Sequence, residues 1–296
     1  MDRAVLPHAV GSGENRGVAA RTLEVGGVSL YVVEEGEGPA VLLIHGMGLD
    51  HRMWDPQRGP LAANGYRVAC YDTRGHGRSG VPPAGYALED VQREALRVLD
   101  VLDIESAHIV GLSMGGSIAA HLAVRSPERV RSVTVVSSMA SGYPGTSDFV
   151  LKGGTVNLLT GDADELEAYR EARLDSPLFA PTLRDPVAGP PLRKILLEAL
   201  QTTTLLRELA AERARGWTAP TDWHLWSDGK RGVNALVLAG ALDDSTFTGF
   251  ALDSRALPRT TVRIVPDAAH MCNMSHPDEV NRELLELFRR AEAVVA

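Results

Sequence analysis

The chain has 296 residues, with 44% apolar and 23% charged side chains, the composition of a folded globular protein. Thirty Lys and Arg stand against 38 Asp and Glu, a net charge of −8, so the basic excess of a nucleic-acid binder is missing and no nucleic-acid partner is expected. Two cysteines, Cys70 and Cys272, cannot build a disulfide framework, no Cys and His spacing has the form of a zinc site, and no apolar run approaches the ~20 residues of a membrane span.

Residues 1–20 carry Pro7, Gly11, Gly13 and Gly17 among scattered charges. They lack the basic-then-apolar order of a secretory signal and read as a flexible extension, with a cytoplasmic location and no membrane partner as the expectation. Residues 22–25 and 28–34 read as two short strands around the Gly26-Gly27 turn. Residues 40–44 (AVLLI) are continuously apolar, as in a strand covered on both faces. Further strands are read at 66–71, 107–110, 130–137, 235–239 and 261–265, with helices at 88–102, 115–125 and 277–293. Alternating strand and helix indicates an α/β fold with a mostly parallel sheet.

The alternation breaks at 139–232. Two amphipathic stretches, 164–174 and 192–215, flank a loop with Pro177, Pro181, Pro186, Pro190 and Pro191, and Trp217, Trp223 and Trp226 cluster nearby. The simplest description is a helical insert, or lid, at 139–232 within a core formed by 21–138 and 233–296.

The chemistry is written in Gly111-Leu112-Ser113-Met114-Gly115, a G-x-S-x-G pattern directly after a strand and before a helix. A serine on such a turn stands exposed at a helix N-terminus, above the carboxyl ends of the strands. Serine needs a base, and His270, after the last strand, is the candidate. The base needs a carboxylate, and Asp243 follows the preceding strand; its neighbour Asp244 is chemically equivalent at this level, and Asp267 reads as loop-shaping. A tetrahedral intermediate needs donors for its oxyanion. The N–H of Met47, in His45-Gly46-Met47-Gly48, and the N–H of Met114 are the candidates.

These segments, with Tyr71-Asp72-Thr73-Arg74-Gly75-His76-Gly77-Arg78-Ser79, resemble the α/β-hydrolase fold superfamily, in the branch of 3-oxoadipate enol-lactonase-like, carboxylesterase and non-haem-haloperoxidase-like proteins. The resemblance implies an eight-stranded, mostly parallel sheet with helices on both faces and a lid after the sixth strand. It implies Ser113, Asp243 and His270 as the catalytic triad, and an architectural role for Asp72 and Arg74. Serine at 113 sets the chain apart from the dehalogenase and epoxide-hydrolase branches, whose nucleophile is Asp. The lid matches no subfamily, so the substrate is the least transferable part.

The reading that follows is acyl transfer through an acyl-enzyme on a small, apolar ester, lactone or thioester, with no metal or organic cofactor and with a homodimer compatible with the chain. His45, Gly46, Trp217 and Trp223 are the substrate-binding candidates. Tyr143, Phe149, Tyr169, Phe179 and Trp226 either join them or pack the lid on the core. Alternatives on the same scaffold are a C–C hydrolase, a thioesterase, cyclase or lyase, and a slow-turnover receptor.

Overall fold

The computed structural model describes residues 17–145, 165–208, 222–228 and 232–293. Eight strands form one sheet: β1 (Ala19–Val25), β2 (Val28–Glu35), β3 (Ala40–Ile44), β4 (Arg67–Tyr71), β5 (Ala107–Leu112), β6 (Val130–Val136), β7 (Asn234–Gly240) and β8 (Thr260–Val265). Their order is β1-β2-β4-β3-β5-β6-β7-β8. The β1–β2 and β2–β4 pairs are antiparallel; every other pair is parallel. Strand β1 begins at Ala19, so the segment read as an extension gives its last two residues to the sheet edge.

The alternation of side chains along the strands splits the core in two. Leu42, Ile44, Ile109, Val133, Val135 and Val237 face one side, under helices α2 (Leu88–Val101), α3 (Met114–Arg125) and α7 (Ser245–Ser254). Val41, Leu43, Val110, Leu112, Leu236 and Leu238 face the other, under α1 (Asp55–Ala63) and α8 (Pro277–Glu292). A strand covered on both sides has no polar face, which is why AVLLI reads as an unbroken apolar run. Each fully buried aliphatic side chain contributes roughly 1.5–3 kcal/mol, so the two layers dominate stability.

Helices α1 and α7 have no counterpart in the pattern read from the sequence. Pro56 and Pro60 lie in α1, and α7 (STFTGFALDS) carries Gly249 and two β-branched threonines, all weak helix signals. Packing overrides them: Leu61 in α1, and Phe247, Phe250 and Ala251 in α7, are buried.

The described lid lies between β6 and β7. It contains α4 (Glu165–Ala172), α5 (Gly189–Glu198) and α6 (Asp222–Ser227). Pro190 and Pro191 open α5, where a missing N–H costs nothing. The helix expected over 192–215 is cut at Glu198. There the chain turns to pair with the loop after β4: Leu200 bridges His76, Gly77 N donates to Ala199 O at 2.6 Å, and Gln201 N donates to Gly75 O at 2.8 Å. After this break helix resumes at Thr204 and runs to the end of the described stretch at 208, so the expected helix is interrupted at 199–203. No helix among the described residues is long and apolar enough to cross a membrane.

Candidate active site

Because β3, β5, β6, β7 and β8 are mutually parallel, the loops at their carboxyl ends lie along one edge of the sheet. From β3 the chain crosses to β4 on one side, while β5 lies on the other, and such a reversal opens a crevice between neighbouring loops. The loop His45–Gly48 and Ser113 flank that crevice. A Cβ placed on Gly46 would lie 3.2 Å from Ser113 Cβ, a tight contact, so the glycine lets this loop lie close against the serine.

Ser113 has φ 56° and ψ −120°, a strained backbone for an L-residue. Its N–H donates to Val136 O at 3.0 Å, and its carbonyl accepts from Ser117 N at 3.0 Å and Ser138 Oγ at 2.5 Å. The neighbouring glycines permit the turn. A Cβ on Gly111 would lie 2.0 Å from Gly115 O, and one on Gly115 would lie 2.1 Å from Ile44 O. The serine is half-buried at the start of α3.

The partners must come from further along the sheet. Strand β8 is three strands from β5, about 14 Å at ordinary strand spacing. The loop after β8 folds back over the end of β7: Leu242 N donates to Ala268 O at 2.9 Å, and a Cβ on Gly240 would lie 2.3 Å from that same oxygen. This crossing brings His270 to Asp243, with Nδ1 3.0 Å from Oδ1 and 3.2 Å from Oδ2. Both side chains are buried, at 1% and 0% exposure. The neighbouring Asp244 is engaged elsewhere, since its carboxylate accepts from Thr246 N at 2.8 Å and caps α7. Asp267 has φ 57°, in keeping with a loop-shaping role. The hydrogen bonds of His270 do not extend to Ser113. Such contacts are commonly long before substrate is bound.

The imidazole lies between two rings, Phe247 from α7 at 4.9 Å and Phe179 from the lid at 6.1 Å. Phe247 went unnoticed in the sequence, although an aromatic three residues past the α7 cap faces back toward it.

Among the described residues, the N–H groups of Met47 and Met114 have no acceptor. Met47 lies beside Gly46, and Met114 opens α3. His45 fixes the first of these peptides. Its Nε2 accepts from Thr73 N at 2.9 Å, so in the neutral ring Nδ1 carries the proton and donates to Gly46 O at 2.7 Å. Burial holds the His45 pKa below its ordinary value, which keeps the ring neutral. The His45 side chain is fully buried, and its two nitrogens tie Gly46 to Thr73 in the loop after β4. Trp223 is likewise directed to packing. It lies against Tyr143 at 4.9 Å and Phe250 at 5.7 Å on the α3 side of the sheet, with Trp226 beside it. Tyr169 and Phe179 are the described lid aromatics on the side of the serine loop, and Trp217 and Phe149 lie outside the described residues.

Asp50, His51 and Asp72 bring potential ligand atoms within 4.8 Å of one another. They border a cavity of about 330 Å³ together with Arg78, Lys194 and Gln201. Both carboxylates are already engaged. Arg52 holds Asp50 through Nε and Nη2, and Asp72 accepts from His51 N, His51 Nδ1 and Arg78 N. This is a braced turn, as expected for Asp72. Arg74 is equally architectural, paired with buried Glu94 at 2.7 Å.

A family model described as the alpha/beta hydrolase fold matches residues 39–277. The chain belongs to the alpha/beta hydrolase fold family. It is 32% identical over 272 residues to the dihydrolipoyllysine-residue acetyltransferase component of the acetoin cleaving system of Cupriavidus necator, covering 90% of this chain and 68% of that one. It is 38% identical over 137 residues to 3-oxoadipate enol-lactonase 1 of Acinetobacter baylyi, covering 45% of this chain and 51% of that enzyme, about half its length. The solved enol-lactonase from Burkholderia xenovorans LB400 matches with a TM-score of 0.69 at 25% identity, over 91% of this chain and 100% of that one. A hydrolase from Pseudomonas aeruginosa PA01 matches with a TM-score of 0.71 at 27% identity, over 90% and 97%. The eight-stranded sheet, its helices and the family agree with the resemblance read from the motifs.

Proposed function

We propose that this alpha/beta hydrolase is a serine hydrolase that cleaves a carboxylic ester or lactone of a small, apolar molecule through an acyl-enzyme. The observation that carries the reading is Ser113 itself, a serine kept at φ 56° where a strand meets a helix. Strain of this kind persists only where surrounding structure enforces it. In the proposed mechanism His270 takes the Ser113 proton, Ser113 Oγ attacks the carbonyl carbon, and the N–H groups of Met47 and Met114 hold the oxyanion. Asp243 keeps Nδ1 protonated, leaving Nε2 as the base, and stabilises the imidazolium. The protonated imidazole gives its proton to the leaving alkoxide. Water, deprotonated by the same ring, then releases the acid.

The names of the relatives support acyl chemistry on this scaffold, since an enol-lactonase and an acetyltransferase component are among them. The test is active-site labelling with a fluorophosphonate, followed by turnover of short p-nitrophenyl esters. Covalent labelling at Ser113 with loss of turnover in Ser113→Ala is the expected result. Ester turnover that survives Ser113→Ala but not His270→Ala would replace the acyl-enzyme with direct attack by water that His270 deprotonates.

A further inference from the structure

Arg173 follows α4 in the lid and opens a single turn, Arg173–Asp175. Its side chain is fully buried, at 0% exposure. Among the described residues no carboxylate pairs with it. Nη1 donates to Gly48 O at 2.8 Å and Nη2 to Met47 O at 3.2 Å, while Nε has no partner. The guanidinium lies over the rings of Phe179 at 5.0 Å and Tyr169 at 5.6 Å. An enclosed cation without an acid is costly, and a Leu or Met would fill the same space without that cost. What the cation does there is hold two consecutive carbonyls of the loop that carries the Met47 N–H.

That loop is fixed from the core side by His45 on Gly46 O and by His76, whose Nε2 accepts from Gly48 N at 2.9 Å. On the outward side the Met47 side chain packs on Tyr169, Leu200 and Leu206 of the lid, and among the described residues Arg173 supplies the side-chain hydrogen bonds to the loop from that side. Gly48 has φ 67°, and a Cβ there would lie 2.3 Å from Nη1, so the glycine and the guanidinium are fitted to each other. We propose that Arg173 is a positioning residue: a clamp reaching from the lid that sets the Met47 peptide as an oxyanion donor, so that the donor is competent only when the lid is docked. This rests on the serine-hydrolase reading. A role as receptor for a substrate carboxylate is disfavoured, because both terminal nitrogens are already on carbonyls and the group is enclosed.

The test compares wild type, Arg173→Met and Arg173→Lys on neutral p-nitrophenyl butyrate and on anionic p-nitrophenyl hemisuccinate. The inhibition constant of an aryl trifluoromethyl ketone, which adds to a serine as an oxyanion, is measured alongside. Loss of a direct oxyanion donor costs about 100- to 1,000-fold in kcat, so a group acting through the loop is expected to cost about 10- to 100-fold. The expected result for Arg173→Met is that loss in kcat on both esters, with KM within about threefold of wild type. The ketone should weaken by a matching factor, and Arg173→Lys should recover part of each. If Arg173→Met fails to fold, Arg173→Lys decides: reduced kcat at constant KM upholds the clamp, and wild-type kcat overturns it. Unchanged kcat in both variants, or a rise in KM confined to the anionic ester, also overturns it. A wild type that neither labels nor turns over ester ends the hydrolase reading and the clamp with it. An active wild type with silent Arg173 variants ends the clamp alone.

Discussion

Ser113 trades stability for exposure of its hydroxyl. A positive-φ conformation of this kind costs about 1–3 kcal/mol in an L-residue, whereas glycine enters it freely. Ser113→Gly is therefore expected to be more stable than Ser113→Ala by about 1 kcal/mol, while both lose fluorophosphonate labelling; equal melting temperatures would contradict the strain argument. Asp243 and Asp244 give a second contrast. Asp243→Asn reverses the tautomer preference at Nδ1, and kcat is expected to fall by about 10⁴ with the fold intact. Asp244→Ala removes the cap on Thr246 N and is expected to cost about 1 kcal/mol of stability, with labelling retained. The sequence could not separate these neighbours, because both are carboxylates on one turn. What separates them is which one begins α7, and that helix is hidden by its threonines and Gly249. Arg173 leaves no signal at all: an arginine in an amphipathic stretch reads as a solvated face, and its burial depends on the His45–Gly48 loop lying far away in the chain.

At the scale of elements, the lid is tied to the core through Asp222, the first residue of α6. Its Oδ2 accepts from His121 Nδ1 at 2.9 Å and Ser141 Oγ at 3.0 Å, and its Oδ1 accepts from Arg125 Nε at 3.1 Å. Burial opposes the charge, but His121, Arg125 and Ser141 together hold the carboxyl below its ordinary range. Asp222→Ala strips the acceptor from helix α3 and from the segment after β6. The expected cost is roughly 1.5–3 kcal/mol, read as a lower denaturant midpoint, because the hydrogen bonds involve a charged partner. A midpoint within experimental error of wild type would show the contact to be idle. The same helix shows why lids are hard to read. Helix α6 has only six residues, and its Trp226 is buried against Phe250 with Nε1 3.3 Å from Ser254 Oγ. Its tryptophans read equally well as pocket lining or as packing, since an aromatic stripe does not say which surface it meets. Core helices α2 and α3 are legible because each is an amphipathic or small-residue run between two apolar strands, and α8 because its long amphipathic run follows the last of them. Lid helix α5 ends where Leu200 finds His76, a partner from the distant loop after β4.

Taken as a whole molecule, the legible part is the part that topology dictates. Alternating apolar strands and helices require a parallel sheet, and a parallel sheet gathers its loops at one edge, so the loops that carry Ser113, Asp243 and His270 lie along that edge. The fold also encloses two histidines whose rings are held neutral by burial. Burial pushes His76 down to about 3, and His108 likewise to about 3, from 6.5. Between those limits the unfolded chain binds protons that the folded chain does not. Stability is therefore full above about 6.5 and declines as pH falls toward 3, at about 1.4 kcal/mol per pH unit for each histidine. His108 gives the cleaner test, since it makes no contact with the His45–Gly48 loop, with Nδ1 2.8 Å from Ser132 Oγ and its ring stacked on Phe288 at 4.3 Å. In His108→Gln the pH-dependent part of this site is gone. Between pH 7.5 and pH 5.0 wild type is expected to lose about 1–2 kcal/mol more than the variant, measured by urea denaturation at the two values. Other groups whose protonation changes over that range are common to both proteins and cancel in the comparison. Equal losses would mean that His108 takes up a proton in the folded state, drawn by Glu292 at 3.3 Å from Nε2, and that burial is not the dominant influence on this ring.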